Sequence, residues 1–182
     1  PIDAPTAPQT FLVRLHRDAG LDVGMRFEAV AGRILIRGIL NGPGTCLGRY
    51  NGAAPENHKI HAGDFIVAVD GKTDPQQMRQ LMDSDDFEIR IARPIFAKVV
   101  VIRGDSPLGF HVKYSEHSKS VDISEVVAGS AADAAGIKSG DRIVAVNGKS
   151  GTASELLVEL KQGDSIELTI ARCAPPELLS IA

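Results

Sequence analysis

Five histidines, His16, His58, His61, His111 and His117, are the imidazoles from which acid–base or metal chemistry would be built. None has a serine, cysteine or carboxylate beside it in a recognisable nucleophile arrangement. His58 and His61, three residues apart, would ligate a metal if Glu56 or Asp64 joined them. Histidines in a glycine-rich segment more often face solvent or cap a turn, and no metal is expected. Gly42-Pro-Gly44 lacks the lysine and the strand-to-helix setting of a phosphate loop. Neither catalysis nor a cofactor is expected. In Arg103-Gly-Asp-Ser-Pro-Leu-Gly-Phe110, Gly109 permits the close approach and free bending without which successive N–H groups could not bind an anion, and Leu108 and Phe110 would line an apolar pocket. Taken alone, Leu-Gly-Phe is more often a plain glycine-containing hairpin.

The elements around that segment are set by a duplication. Gly63-Asp-Phe-Ile-Val-Ala-Val-Asp-Gly-Lys72 recurs as Gly140-Asp-Arg-Ile-Val-Ala-Val-Asn-Gly-Lys149, a spacing of about 77 residues. That period suits a small complete domain and exceeds a solenoid unit. Each copy alternates in strand fashion and closes on Asp-Gly or Asn-Gly, a tight-turn signal. In the first repeat, residues 10–17, 24–30 and 33–40 are expected strands, followed by a glycine-rich stretch over 41–61. In the second, strands are expected over 98–103, 109–114, 121–127 and 141–146, with a short helix over 130–136. Capping boxes, Thr73 with Gln76 and Thr152 with Glu155, predict a closing helix in each repeat. Met78, Leu81 and Met82, and Leu156, Leu157 and Leu160, have the spacing of its apolar face. Final strands follow over 87–92 and 166–171, both ending in Ile-Ala-Arg.

The chain has 182 residues, 43% apolar and 24% charged, with net charge −3. Two small domains fit that length, each with a modest core. No run approaches the roughly 20 apolar residues of a membrane span, and no direct span is expected. Neither half is basic, which argues against nucleic acid as a partner. Cys46 and Cys173 fall in different repeats without metal spacing, so a reducing compartment, cytoplasm or organelle stroma or matrix, fits. A chain opening on Pro1 is read as trimmed or processed, which leaves import into an organelle open. The proline-rich residues 1–9 are expected to form an extended leader and 174–182 a loose apolar tail. The expected domains are 10–93 and 98–173, joined by 94–97, a connection short enough to restrict their relative orientation.

The Pro-Leu-Gly-Phe segment, followed by Gly129-Ser-Ala-Ala-Asp-Ala-Ala-Gly-Ile-Lys-Ser-Gly-Asp-Arg-Ile-Val-Ala-Val-Asn-Gly148, resembles a PDZ domain over residues 96–173. The fold this implies is mostly β with short α-helices: two partly open barrels or sandwiches in tandem, each capped by two helices. The resemblance also implies that a peptide carboxylate sits on the N–H groups around Gly109 and that the peptide backbone extends the sheet beside residues 110–114. The implied site residues are Arg103, Leu108, Gly109, Phe110, His111, Val112, Ala153 and Leu157. Arg103 is read equally as a solvated charge, and His111 as a wall or surface residue. Ala153 matches the helix position where many family members carry a histidine for a ligand hydroxyl. Without that donor, an apolar or unselective ligand position is expected, with Ala153 and Leu157 as a small apolar wall. Leu157 is equally a core candidate.

Residues 10–93 resemble a divergent PDZ-like repeat, with Asp22-Val-Gly-Met25 in place of Pro-Leu-Gly-Phe. Its long segment 47–64 resembles repeats of some protists, especially dinoflagellates. A weaker second groove would use Val23, Gly24, Met25, Asp74 and Met78, with Asp22 and Asp74 repelling a carboxylate. The resemblance implies a scaffold whose partners are other proteins. Two further readings are a peripheral subunit of an organelle membrane complex and the regulatory region of a protease.

Overall fold

The computed structural model describes residues 9–18, 20–40, 42–104, 107–116 and 118–179. The leader over 1–8, His117 and the tail over 180–182 lie outside them. Two compact units are present: one spans Ile95–Cys173, the other residues 9–94 together with 174–179. Each contains a five-stranded antiparallel sheet of the same permutation. In the first unit, β1 (Thr10–His16), β2 (Met25–Val30), β3 (Arg33–Ile39), β4 (Phe65–Val69) and β5 (Asp86–Ala92) lie in the order β1-β5-β4-β3-β2. In the second, β6 (Ile95–Ile102), β7 (Phe110–Lys113), β8 (Val121–Val126), β9 (Arg142–Val146) and β10 (Ser165–Arg172) lie in the order β6-β10-β9-β8-β7. The sheets are open, and short helices flank each: α1 (Cys46–Ala53) and α2 (Pro75–Leu81) in the first unit, α3 (Ala131–Ala134) and α4 (Ala153–Glu159) in the second. A further short helix, α5 (Pro176–Leu179), belongs with the first unit.

The shared decapeptide builds the same substructure twice. Asp70 and Asn147 have φ of 45° and 51°, each followed by a glycine at positive φ, as a two-residue hairpin turn matching strand twist requires. Their side-chain oxygens accept the N–H groups of Glu88 and Glu167. The aspartate opening each string is buried: Asp64 pairs with Arg93 and Asp141 with Arg172, and each accepts an N–H from three residues upstream, His61 or Lys138. The terminal arginine of each Ile-Ala-Arg is therefore tied to the start of its repeat's central strand. Burial pushes the Asp64 carboxyl above its ordinary value, against the pull of His61 N–H and Arg93.

Helix α4 starts as expected, with Thr152 and Glu155 in a reciprocal capping box. Helix α2 starts one residue later than the Thr73–Gln76 reading: Asp74 is the N-cap and accepts the N–H of Gln77. Pro75, with its fixed φ and no N–H, belongs at the first helical position, which makes the preceding aspartate the cap. The glycine-rich stretch over 41–61 contains α1 and a 3-10 turn, Glu56–His58. Thr45 caps α1 by accepting the N–H of Gly48. Strand β6 starts at Ile95 instead of residue 98, because pairing with Arg172 and Ala171 extends the ladder back to Pro94, which has no N–H to offer it.

The cores are separate. Ile34, Ile36, Leu47, Ile66, Met78, Ile89 and Ile91 belong to the first, and Val101, Ile123, Ile143, Ala153, Leu156, Ile166 and Ile170 to the second. Residues 174–179 do not behave as a loose tail, since Ala174 and Leu179 are buried.

Candidate peptide-binding site

Strand β7 is the last strand of its sheet, so one of its edges meets no other strand among the described residues. The turn leading into it is held from behind. Ala132 N–H donates to the Leu108 carbonyl at 3.0 Å, and Val127 N–H donates to the Gly109 carbonyl at 2.8 Å, with the Ser130 hydroxyl on that same carbonyl at 3.3 Å. A trans peptide plane points its N–H opposite its carbonyl, so the amides of Gly109 and Phe110 face away from α3. The Val127–Gly109 bond also makes Phe110 and Val126 a non-hydrogen-bonded pair, which turns the Phe110 N–H off the sheet edge. Two successive donors thus converge at the head of an open strand edge. Gly109 is required twice over: its φ is +84°, and a Cβ there would lie 2.1 Å from that of Ser130.

Leu108, Phe110, Val112 and Leu157 are half-buried and pack against the core cluster that contains Leu156 and Leu160. Leu108 and Phe110 flank the amides, Val112 follows on β7, and Leu157 packs on the same cluster from α4. His111 alternates to the exposed face of β7. Ala153 has no exposed surface, and its N–H donates to the carbonyl of Ser118 at 2.7 Å, so the β7–β8 connection covers the start of α4. Arg103 donates to the carbonyls of Leu160 and Lys161 and caps the C-terminal end of α4.

The first unit repeats this frame. Leu47 N–H donates to the Val23 carbonyl and Leu40 N–H to that of Gly24, whose φ is +87° and whose Cβ would lie 2.5 Å from Thr45 Oγ1. Val23, Gly24 and Met25 therefore occupy the places of Leu108, Gly109 and Phe110. Asp22 stands where the second unit has Pro107, and its own carboxylate accepts the Gly24 N–H at 2.6 Å. Further along, the Arg79 guanidinium of α2 lies 5.8 Å from the ring centroid of Phe27 on β2. Met78 is wholly buried in the core, and Asp74 spends its carboxylate on the helix cap instead of facing a ligand.

Spacing alone did not bring out Asp22 as an internal acceptor, Arg79 across the helix–strand gap, or Ser118 over Ala153. The signal for Asp22 was present as an Asp-x-Gly turn. Among the described residues, no group of three His, Cys, Asp or Glu side chains could hold a metal, and no helix is long and apolar enough to cross a membrane. His61 approaches Arg93 through Nδ1, and His58 pairs with Asn57.

The family model for the PDZ domain matches residues 98–170. Disks large homolog 1 of Danio rerio is 37% identical over 84 residues, which is 44% of this chain and 10% of that protein. Disks large homolog 3 of Homo sapiens is 30% identical over 143 residues, 69% of this chain and 17% of that protein. The chain thus spans a small part of the length of the curated relatives it matches. Among solved structures, the PDZ domain from choanoflagellate SHANK1 bound to GIRK3 peptide is 27% identical, with 44% of this chain and 96% of that one covered and a TM-score of 0.42. The dmPar3 PDZ1 domain in complex with the dmPar6 PBM is 23% identical, with 41% and 92% covered and a TM-score of 0.37. PDZ domains are non-catalytic peptide-binding modules. Residues 98–170 are a PDZ domain, and with the first unit they make a tandem PDZ-like architecture.

Proposed function

We propose that this chain is a non-catalytic scaffold whose second domain, residues 98–173, captures the C-terminal segment of a partner protein by strand addition along β7. The ligand carboxylate sits on the amides of Gly109 and Phe110, and its last side chain enters the apolar strip of Leu108, Phe110 and Leu157. The backbone of the ligand then pairs beside His111 and Val112. Ala153 offers the ligand no surface, so the third side chain from the ligand's end is read weakly. The first domain, residues 10–93, does not take a free carboxylate, because Asp22 already fills the equivalent position. The observation that carries this reading is the pair of carbonyls, Leu108 and Gly109, tied off behind the loop so that their amides converge at an open edge. Kinship of the first domain with protist repeats rests on its long segment 47–64 alone.

The test uses the isotope-labelled full chain and a peptide offered with either a free or an amidated C-terminus. The Gly109 and Phe110 amide signals move with the free acid, and amidation weakens binding at least roughly tenfold, the loss of one charge-assisted contact. Equal binding of both peptides, or a response that spares Gly109, defeats the proposal.

A further inference from the structure

The two copies of the decapeptide differ at two places, the turn residue, Asp70 against Asn147, and one strand position, Phe65 against Arg142. That position lies on the sheet face turned away from the core cluster. In the first unit Phe65 is paired in register with Leu35, and both are buried yet belong to no core cluster. In the second unit the same register pairs Arg142 with Asp122. The neighbouring Val67 and Ala68 follow suit: they are 5% and 8% exposed, whereas their counterparts Val144 and Ala145 are half-exposed. The outer face of one sheet is thus apolar and covered, and that of its twin carries a buried Arg142 and is more open at Val144 and Ala145.

The segment that lies against part of this apolar face is the chain's own 174–179. Pro176 and Leu179 line a cavity of 130 Å³ together with Val67, Ala68, Arg33 and Arg90. Leu179 is 7% exposed and Ala174 2%. Proline at the first position of α5 sets its helical turn and carries Leu179 to the same face one turn later. Glu177 is the only charge of the segment, and two arginines border the face that receives it. Polarity and charge sign match.

We propose that the outer face of the first sheet is a second recognition surface, distinct from the peptide groove. Its ligand is a proline-started helical turn ending in leucine, and the resident occupant is the chain's own segment 174–179, bound in cis. A tethered ligand of this kind acts at an effective concentration in the millimolar range, so it holds the site against free competitors.

The experiment compares the labelled full chain, its Leu179→Asp variant and a chain ending at Cys173, each titrated with a synthetic peptide of residues 174–182. Leu179→Asp moves the amide signals of Val67, Ala68 and Arg90 and leaves those of Val144, Ala145 and Thr169 in place. The shortened chain recaptures the peptide at Val67 and Ala68, and the intact chain does so at least about tenfold more weakly. Wild-type signals in the Leu179→Asp variant, or no peptide response in a folded shortened chain, overturn the proposal. Should the shortened chain not fold, the Leu179→Asp spectrum decides alone. Sedimentation across a concentration series separates cis from exchange between copies: a dimer abolished by Leu179→Asp overturns the cis assignment.

Discussion

The two edge strands that could each accept a peptide, β2 and β7, are framed almost identically and differ in what fills them. In both, a positive-φ glycine packs on a hydroxyl-bearing helix cap, Thr45 or Ser130, and the two carbonyls preceding the strand are tied off behind it. In the second unit the residue before the apolar wall is Pro107, which carries no acceptor on its side chain. In the first unit it is Asp22, whose carboxylate takes the Gly24 amide, while Arg79 lies over Phe27 across the gap between helix and strand. The frame of the turn is therefore a property of the backbone, and whether its amides are available is a property of one neighbouring side chain. Duplication preserved the first and altered the second.

The largest break in this comparison is Gly109→Val. A β-branched residue at φ +84° against Ser130 combines left-handed strain with overpacking, together about 2–4 kcal/mol. Denaturant titration registers the loss, and peptide binding disappears with it. Gly24→Val costs a similar amount with no binding to lose, because the geometry behind it is the same.

Exchanging the side chains before the wall sharpens the comparison with a smaller effect. Pro107→Asp places a carboxylate at the amides of the second unit and lowers affinity for a free C-terminus roughly tenfold, about 1–2 kcal/mol. The companion double variant, Asp22→Ala with Arg79→Leu, removes the internal acceptor, and the Gly24 amide signal then responds to the same peptide in full-chain spectra. Silence at Gly24 in that double variant would mean that the divergence of the first groove lies elsewhere.

The smallest effect is a pH dependence confined to one unit. His16 on β1 faces Asp86 on β5 at 2.7 Å, and that hydrogen bond raises the imidazole above its model-peptide value of 6.5. A raised pKa means that the stabilisation is fully present below 6.5 and is lost as pH rises through the folded value. At the same register the second unit pairs Ile102 with Ser165, which do not titrate in this range. Melting of the first unit should therefore soften slightly from pH 6 to pH 8, and His16→Gln should remove that slope while the second unit stays level.

The features legible in the sequence share one physical character: they are local. The type I′ turns at Asp70-Gly71 and Asn147-Gly148, the Thr152–Glu155 capping box and the alternation within each central strand all involve residues within a few positions of one another. Helix α1 was not legible because Gly48 and Gly52 lower helix propensity, and its cap, Thr45, precedes no acidic partner three residues on. At α2, the expectation passed over Pro75, whose missing N–H selects Asp74 as the cap.

By itself the sequence determined the duplication, the order of the strands, the helices α2, α3 and α4, and the glycine turn ahead of β7, because repeated strings and short-range hydrogen bonds need no knowledge of the fold. Only the tertiary structure decided where Arg103 and Arg79 reach, and that Leu179 lines a cavity with Val67 and Ala68. Those outcomes join residues tens of positions apart, and sheet register and packing, not neighbouring residues along the chain, set the distances between them.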